Sequence, residues 1–112
     1  MARVPRIGML RHRVTLQAEV ETDDGYGGYA LAWSDVSTFW ARVEPLSGEE
    51  RLTAMALEGR TTHRIWFRRR SDVTAEHRIV HGSRVFSLHS PPVNADERDR
   101  FQYVEAQEGG PV

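Results

Sequence analysis

The chain contains no cysteine and no lysine. The first absence removes disulfide staples, thiolate metal sites and cysteine nucleophiles together, so stability must come from packing or from partners. The second makes all fifteen strongly basic residues arginine. Guanidinium is the better group for planar, bidentate interface contacts, although a GC-rich coding sequence produces the same bias. No apolar run exceeds a few residues, which excludes a bilayer-spanning helix and predicts no membrane partner. Arg3, Arg6, Arg11 and Arg13 lead the chain with no apolar stretch behind them, so no secretion signal is expected and synthesis is placed in the cytoplasm. The P-loop, GxGxxG and HExxH patterns are also missing. His77 and His81 are four apart, but they bracket an apparent strand, where that spacing separates side chains by about 13 Å. With His12, His63 and His89 on other segments, no metal site is expected, and none of the carboxylates sits in an apolar setting that would tune a general acid. No catalytic residue and no cofactor is nominated, so the expectation is a protein that is not an enzyme.

What is present is enough for one core. With 112 residues, 39% of them hydrophobic and 28% charged, the chain reads as a single domain over 1–112. Such a domain buries roughly two-thirds of its unfolded surface. Net charge is −1, yet the sign is segregated. Arginine dominates residues 1–13; Glu19, Glu21, Asp23 and Asp24 follow; arginine returns between 60 and 84; and Asp96, Glu97, Asp99, Glu105 and Glu108 close the chain. Such blocks suit a positive face that meets the negative face of a neighbouring copy; solvated loops and strand faces produce them too.

Val14, Leu16, Ala18 and Val20 alternate with polar residues, the period of a half-buried strand. Asp24, Gly25, Tyr26, Gly27 and Gly28 form a turn-rich, mobile tip leading to a second strand region over 29–43, with a break expected near Ser34-Asp35. The run from Trp40 to Glu50 then reads as a strand ended by Pro45 and a helix opened by the Ser47/Glu50 capping box. That helix is expected over 47–58, with Leu52, Met55 and Ala56 on its apolar stripe and Gly59 as its stop. In the strand that follows, Ile65 and Phe67 point inward, while Arg64, Trp66, Arg68 and Arg70 face the other way, with Arg69 in the inward parity. Arg78–Val80 and Arg84–Leu88 make a tight hairpin around Gly82, Pro91-Pro92 is expected to block further pairing, 93–99 is a polar loop, and 100–106 is a closing strand. Residues 1–10 are expected as an extended arm and 108–112 as a flexible C-terminus. The fold class predicted is mainly β: a small antiparallel barrel or sandwich of five to six strands with one inserted helix. Its expected core includes Trp33, Trp40, Val43, Leu52, Ile65, Phe67, Phe86 and Leu88.

Several segments, in order, resemble one family. They are GMLRHRVTLQ from Gly8 to Gln17, DGYGG from Asp24 to Gly28, Trp33, WARV from Trp40 to Val43, THRIWFR from Thr62 to Arg68, Arg78-Ile79, and RVFSL from Arg84 to Leu88. Together with the Trp40–Glu50 run they are similar to the head-tail joining, or head-closure, proteins of long-tailed phages and phage-derived gene transfer agents. Pro91-Pro92 departs from the pattern and leaves the last connection less defined. The resemblance implies a neck subunit, either adaptor or stopper, forming a six-fold or twelve-fold homo-oligomeric ring in a virion assembled in the bacterial cytoplasm. The ring would sit between the portal or adaptor protein and the tail terminator or tail tube, with double-stranded DNA passing through without sequence-specific binding. Candidate inter-subunit contacts are Met9, Leu10, Arg11, Arg13, Arg64, Arg68, Arg69 and Arg70, and the Asp24–Gly28 tip is a candidate gate. A rival reading takes Trp66 and its flanking arginines as an OB-like single-stranded nucleic-acid-binding surface. A solvated strand face is the third account of the same arginines.

Overall fold

The computed structural model describes residues 7–49, 61–94 and 100–109. A 3-10 turn at Ile7–Met9 leads into seven strands: β1 (His12–Asp23), β2 (Tyr29–Pro45), β3 (His63–Arg68), β4 (Arg78–His81), β5 (Arg84–Leu88), β6 (Val93–Asn94) and β7 (Phe101–Glu108). All pairings are antiparallel, in the order β3-β2-β1-β4-β5-β7-β6, and β3 also pairs with β7. That last pairing runs from His63 opposite Ala106 to Arg68 opposite Phe101, so β1, β2, β3, β7, β5 and β4 form a closed circuit of hydrogen-bonded neighbours.

Alternation explains the interior. Val14 and Leu16 of β1, Phe39, Ala41 and Val43 of β2, Ile65 and Phe67 of β3, Ile79 of β4, Phe86 and Leu88 of β5, and Val104 and Ala106 of β7 form one buried cluster, capped by Val73. Along β1, β2, β3, β5 and β7 the contributing residues are every second one, as the pleat requires. The Gly82-Ser83 turn has Gly82 at φ +63°, the left-handed conformation a two-residue hairpin loop needs. Thr62 ties the circuit further by donating from its backbone N–H to Ala106 O at 2.9 Å and accepting the Glu108 N–H on Oγ1 at 2.9 Å.

A second, smaller cluster lies on the outer side of the β3–β7 pair. Leu10, Trp66 and Phe101 are buried there, with Tyr103 packed against them and its ring centroid 4.9 Å from that of Trp66. The reason is non-local: Leu10 folds back over a strand face that parity alone marks as outward.

Several expectations are therefore revised. The end of the expected arm, at Ile7–Leu10, is a 3-10 turn followed by a buried leucine rather than an extended segment, and residues 1–6 lie outside the described residues. Strand β2 does not break near Ser34-Asp35. The register moves from Leu16 opposite Ser37 to Gln17 opposite Asp35, so Val36 is accommodated as a bulge. Pairing resumes after Pro91-Pro92, because Val93 and Asn94 meet Tyr103 and Gln102; only the prolines themselves lack a donor. Trp40 is not in the core. It is 53% exposed, and Trp33 is half-buried. Of the expected 47–58 helix, Gly48 and Glu49 take helical backbone, and the remainder, with Leu52, Met55 and Ala56, lies outside the described residues.

Candidate functional site

Two surfaces stand out, and both are built by the β1–β2 hairpin. Strand β1 pairs with β4 only through Thr15–Gln17, and β2 pairs with β3 only through Ala41–Pro45. Beyond those contacts the hairpin continues from Ala18 opposite Ser34 to Asp23 opposite Tyr29 with no third strand among the described residues, which makes a projecting two-stranded ribbon. Its tip is closed by side chains. Asp24 Oδ1 accepts the N–H of Tyr26 at 2.7 Å and of Gly28 at 3.1 Å, Asp23 Oδ1 accepts that of Gly25 at 2.9 Å, and the Asp24 N–H donates to Gly28 O at 3.2 Å. Gly25 and Gly27 both take φ +81°, which is why glycine stands at these turn positions. On the ribbon Tyr26 is 95% exposed, Tyr29 74% and Leu31 63%.

At the ribbon's base is an open cleft of about 880 Å³, lined by Leu10, Arg11, Arg13, Thr38, Phe39, Trp40, Arg68 and Arg70. Cross-strand register sets the Arg13 guanidinium 5.2 Å from the Trp40 ring, since Arg13 and Trp40 are direct partners. Arg70 is the fixed wall. It donates twice to Asp72, at 2.9 and 2.8 Å, and once to Ser37 Oγ at 3.0 Å, while its guanidinium lies 4.4 Å from the Phe39 ring centroid. The hydrogen bonds from Arg70 hold the Asp72 carboxyl below its ordinary range, burial opposing, with Ser37 adding to the effect. Arg68, by contrast, is exposed, with no hydrogen bond or ion pair to its guanidinium among the described residues.

The other candidate contact residues scatter. Met9 is 39% exposed at the end of the 3-10 turn, and Arg11 Nε donates to Gly8 O at 2.8 Å. Leu10 is buried beneath the cleft and Arg69 lines a separate shallow hollow with Arg70, Ser71 and Asp72. Arg64 is half-buried, 5.0 Å from the Tyr103 ring and 3.8 Å from Glu105, so it braces the β3–β7 face rather than reaching outward. The fold thus gathers Arg11, Arg13, Arg68 and Arg70 into one site and leaves Arg64 and Arg69 outside it. Sequence reasoning missed Thr38, Phe39 and Trp40 as site residues. The 13-to-40 pairing that places them could only have come from counting the hairpin register through the bulge.

A histidine cluster sits beside the core. His12 Nδ1 accepts the Val43 N–H at 3.1 Å and its ring meets that of His81 edge-on at 4.9 Å. Burial lowers the His12 pKa, and His81, Arg42 and Arg84 lower it further. Arg84 grips Glu108 at 2.6 and 3.0 Å, linking β5 to the end of β7.

The described residues thus form a closed circuit of strands whose distinctive surfaces are an open arginine cleft and a projecting ribbon. The profile of phage head completion proteins matches residues 5–109, and the chain belongs to that family. It is 25% identical over 97 residues to head completion protein gp16 of Bacillus phage SPP1, covering 87% of this chain and 89% of that protein. It is 29% identical over 91 residues to head completion protein gp7 of Enterobacteria phage HK97, covering 77% and 81%. The solution structure of protein SF1141 from Shigella flexneri 2a superposes with a TM-score of 0.74 at 32% identity, over 96% of this chain and 100% of that one. The same fold, at 22% identity and a TM-score of 0.51, occurs in a chain from the virion of a native gene transfer agent, over 96% and 97%. The protein is accordingly a structural component of a phage-type virion and not an enzyme.

Proposed function

We propose that this chain forms a homo-oligomeric ring in the neck of the particle, between the portal or adaptor side and the tail terminator or tail tube. There it closes the filled head and lines or gates the DNA exit channel. The observation that carries this reading is the ribbon. Its exposed Tyr26, Tyr29 and Leu31 are large apolar side chains on a projection that the other described residues leave open. Clustered apolar exposure of this kind marks a surface buried by a partner, and head completion supplies the partners: further copies and the neighbouring virion layers. In this reading the closed strand circuit is a small barrel acting as a rigid block, and the ring is six-fold or twelve-fold. The Asp24–Gly28 tip, held by four hydrogen bonds, suits a contact element better than a mobile gate.

The rival reading, a single-stranded nucleic-acid module, needs Trp66 as a stacking platform. Trp66 is 2% exposed beneath Leu10, with its indole N–H 3.4 Å from Glu44 Oε1. A lining that gripped phosphate would also retard DNA passage, because each neutralised phosphate adds salt-dependent affinity. Deleting the gene in a producing strain tests the proposal. Expected are heads that fill with DNA yet fail to join tails, and averaged electron microscopy of the complemented particle should place a ring of this fold at the neck. Normal tailed particles from the deletion strain would overturn it.

A further inference from the structure

On β1, the residues Arg13, Thr15, Gln17, Glu19, Glu21 and Asp23 share one face of the hairpin. At the base Arg13 is paired with Trp40 in the cleft; towards the tip Glu19 stands opposite Trp33, Glu21 opposite Leu31 and Asp23 opposite Tyr29. One end of this face is cationic and aromatic, the other anionic and apolar. We propose that the distal ribbon of one subunit seats in the arginine cleft of a second copy of this chain, so that carboxylates of the tip meet Arg13 and Arg68 while Tyr29 and Leu31 cover Trp40.

Three observations support that occupant. First, the charges are complementary and available: Glu19, Glu21 and Arg68 have no hydrogen bond or ion pair to their side chains among the described residues. Second, the apolar parts match, because Leu31 at 63% and Tyr29 at 74% exposure need cover, and so does Trp40 at 53%. A cleft of about 880 Å³ is on the scale of a pocket that takes several side chains rather than an ion. Third, the two halves cannot meet within one chain. Arg13 and Asp23 lie ten residues apart on β1, a separation of about 33 Å along a paired strand. Donor and acceptor at opposite ends of one ribbon make a head-to-tail contact, which repeats from copy to copy and closes where the rotation permits. The proposal rests on the ring reading and specifies which surfaces form the joint.

The absence of cysteine makes the test clean. A full-length chain carrying Tyr26→Cys and Thr38→Cys is expressed in the deletion strain, and purified particles are treated with a short bismaleimide. The two sites are at least nine residues apart along β2, about 30 Å, so a linkage between them must join two copies. Expected is a ladder of covalent oligomers; mixing chains that carry one cysteine each should stop the ladder at dimers. Glu21→Arg with Asp23→Arg, or Arg13→Glu with Arg68→Glu, should each lower the yield by about tenfold, and co-expressing the two reversed chains should restore it. All four positions are exposed, and thermal melts will confirm that the variants fold. Particles that contain the chain but give no ladder would overturn this joint while leaving the ring reading standing. A chain missing from the neck altogether would remove the ring reading and this joint with it. Single-stranded DNA that quenches tryptophan emission at physiological salt, with Trp40→Phe abolishing the effect, would assign the cleft to nucleic acid and overturn the proposal.

Discussion

Leu10→Ala separates a docked N-terminal segment from a free arm. Leu10 is 8% exposed between Trp66 and Phe101, so truncation removes three buried carbons and leaves a void against two aromatic rings. Leucine-to-alanine changes at buried sites cost about 2–5 kcal/mol, with the spread set by how well the site collapses. Here Ile7–Met9, directly before Leu10, form a short 3-10 turn, which can shift inward to fill part of the void. The lower part of the range is therefore expected, about 2–3 kcal/mol. For a domain of this size that lowers the melting temperature by about 10 °C. Urea unfolding followed by far-ultraviolet circular dichroism measures it directly, with a shifted midpoint and an unchanged slope. Met9→Ala is the control: Met9 is 39% exposed and should move stability by less than about 0.5 kcal/mol. If both variants change stability by that same small amount, Leu10 is not an anchor, and the burial of Trp66 has another cause.

Gly82→Ala should cost about 1 kcal/mol, and Gly82→Asn clearly less, because a Cβ at φ +63° meets no neighbour and the penalty is backbone strain alone; equal urea midpoints for alanine and wild type would refute this. The Asp72 pKa lies below its unfolded value of 3.8, so the stability it contributes is complete above that value and is lost as pH falls through the lower folded one; Asp72→Asn should flatten the acid limb of a stability profile below about pH 4. His12 is likewise held below 6.5, so the unfolded chain takes up its proton first and stability falls as pH drops from 6.5 towards the folded pKa. His12→Asn keeps an acceptor for the Val43 N–H and should remove that slope, measured as urea midpoints between about pH 7 and 5.

The inner layer of the fold is legible in the sequence because it depends on parity. Val14, Leu16, Val43, Ile65, Phe67, Phe86 and Leu88 are all buried where period-two alternation puts them. The Gly82 hairpin was equally readable, since a two-residue turn between two apolar runs is specified locally. Val93-Asn94 shows the opposite case. A proline pair signals a stop, but whether the chain pairs again depends on where β7 lies, and that strand follows in sequence. The site was half legible. The acidic block from Glu19 to Asp24 and the arginine-rich segments were visible as charge, whereas the bulge at Val36 sets which apolar residue faces which carboxylate, and no local residue type announces it.

Trp40 and Trp66 make the same point about function. Both sit in strands among apolar neighbours, and both lie on the parity opposite the main core. Composition cannot tell them apart. What separates them is the segment before β1, which lays Leu10 over Trp66 and passes beside Trp40 without covering it. One indole is thereby spent on folding and the other is left at the mouth of an arginine cleft, 5.2 Å from Arg13. The same hairpin ladder that closes the strand circuit at its base also holds the acidic tip about 33 Å away, beyond the reach of that cleft in its own chain. Folding satisfies the base of the hairpin and leaves its outer face unsatisfied at both ends with opposite charge. A monomer with that property has its assembly contact written into the register of one strand pair, so a one-residue slip at Val36 would exchange faces beyond the bulge and remove the joint without disturbing the core.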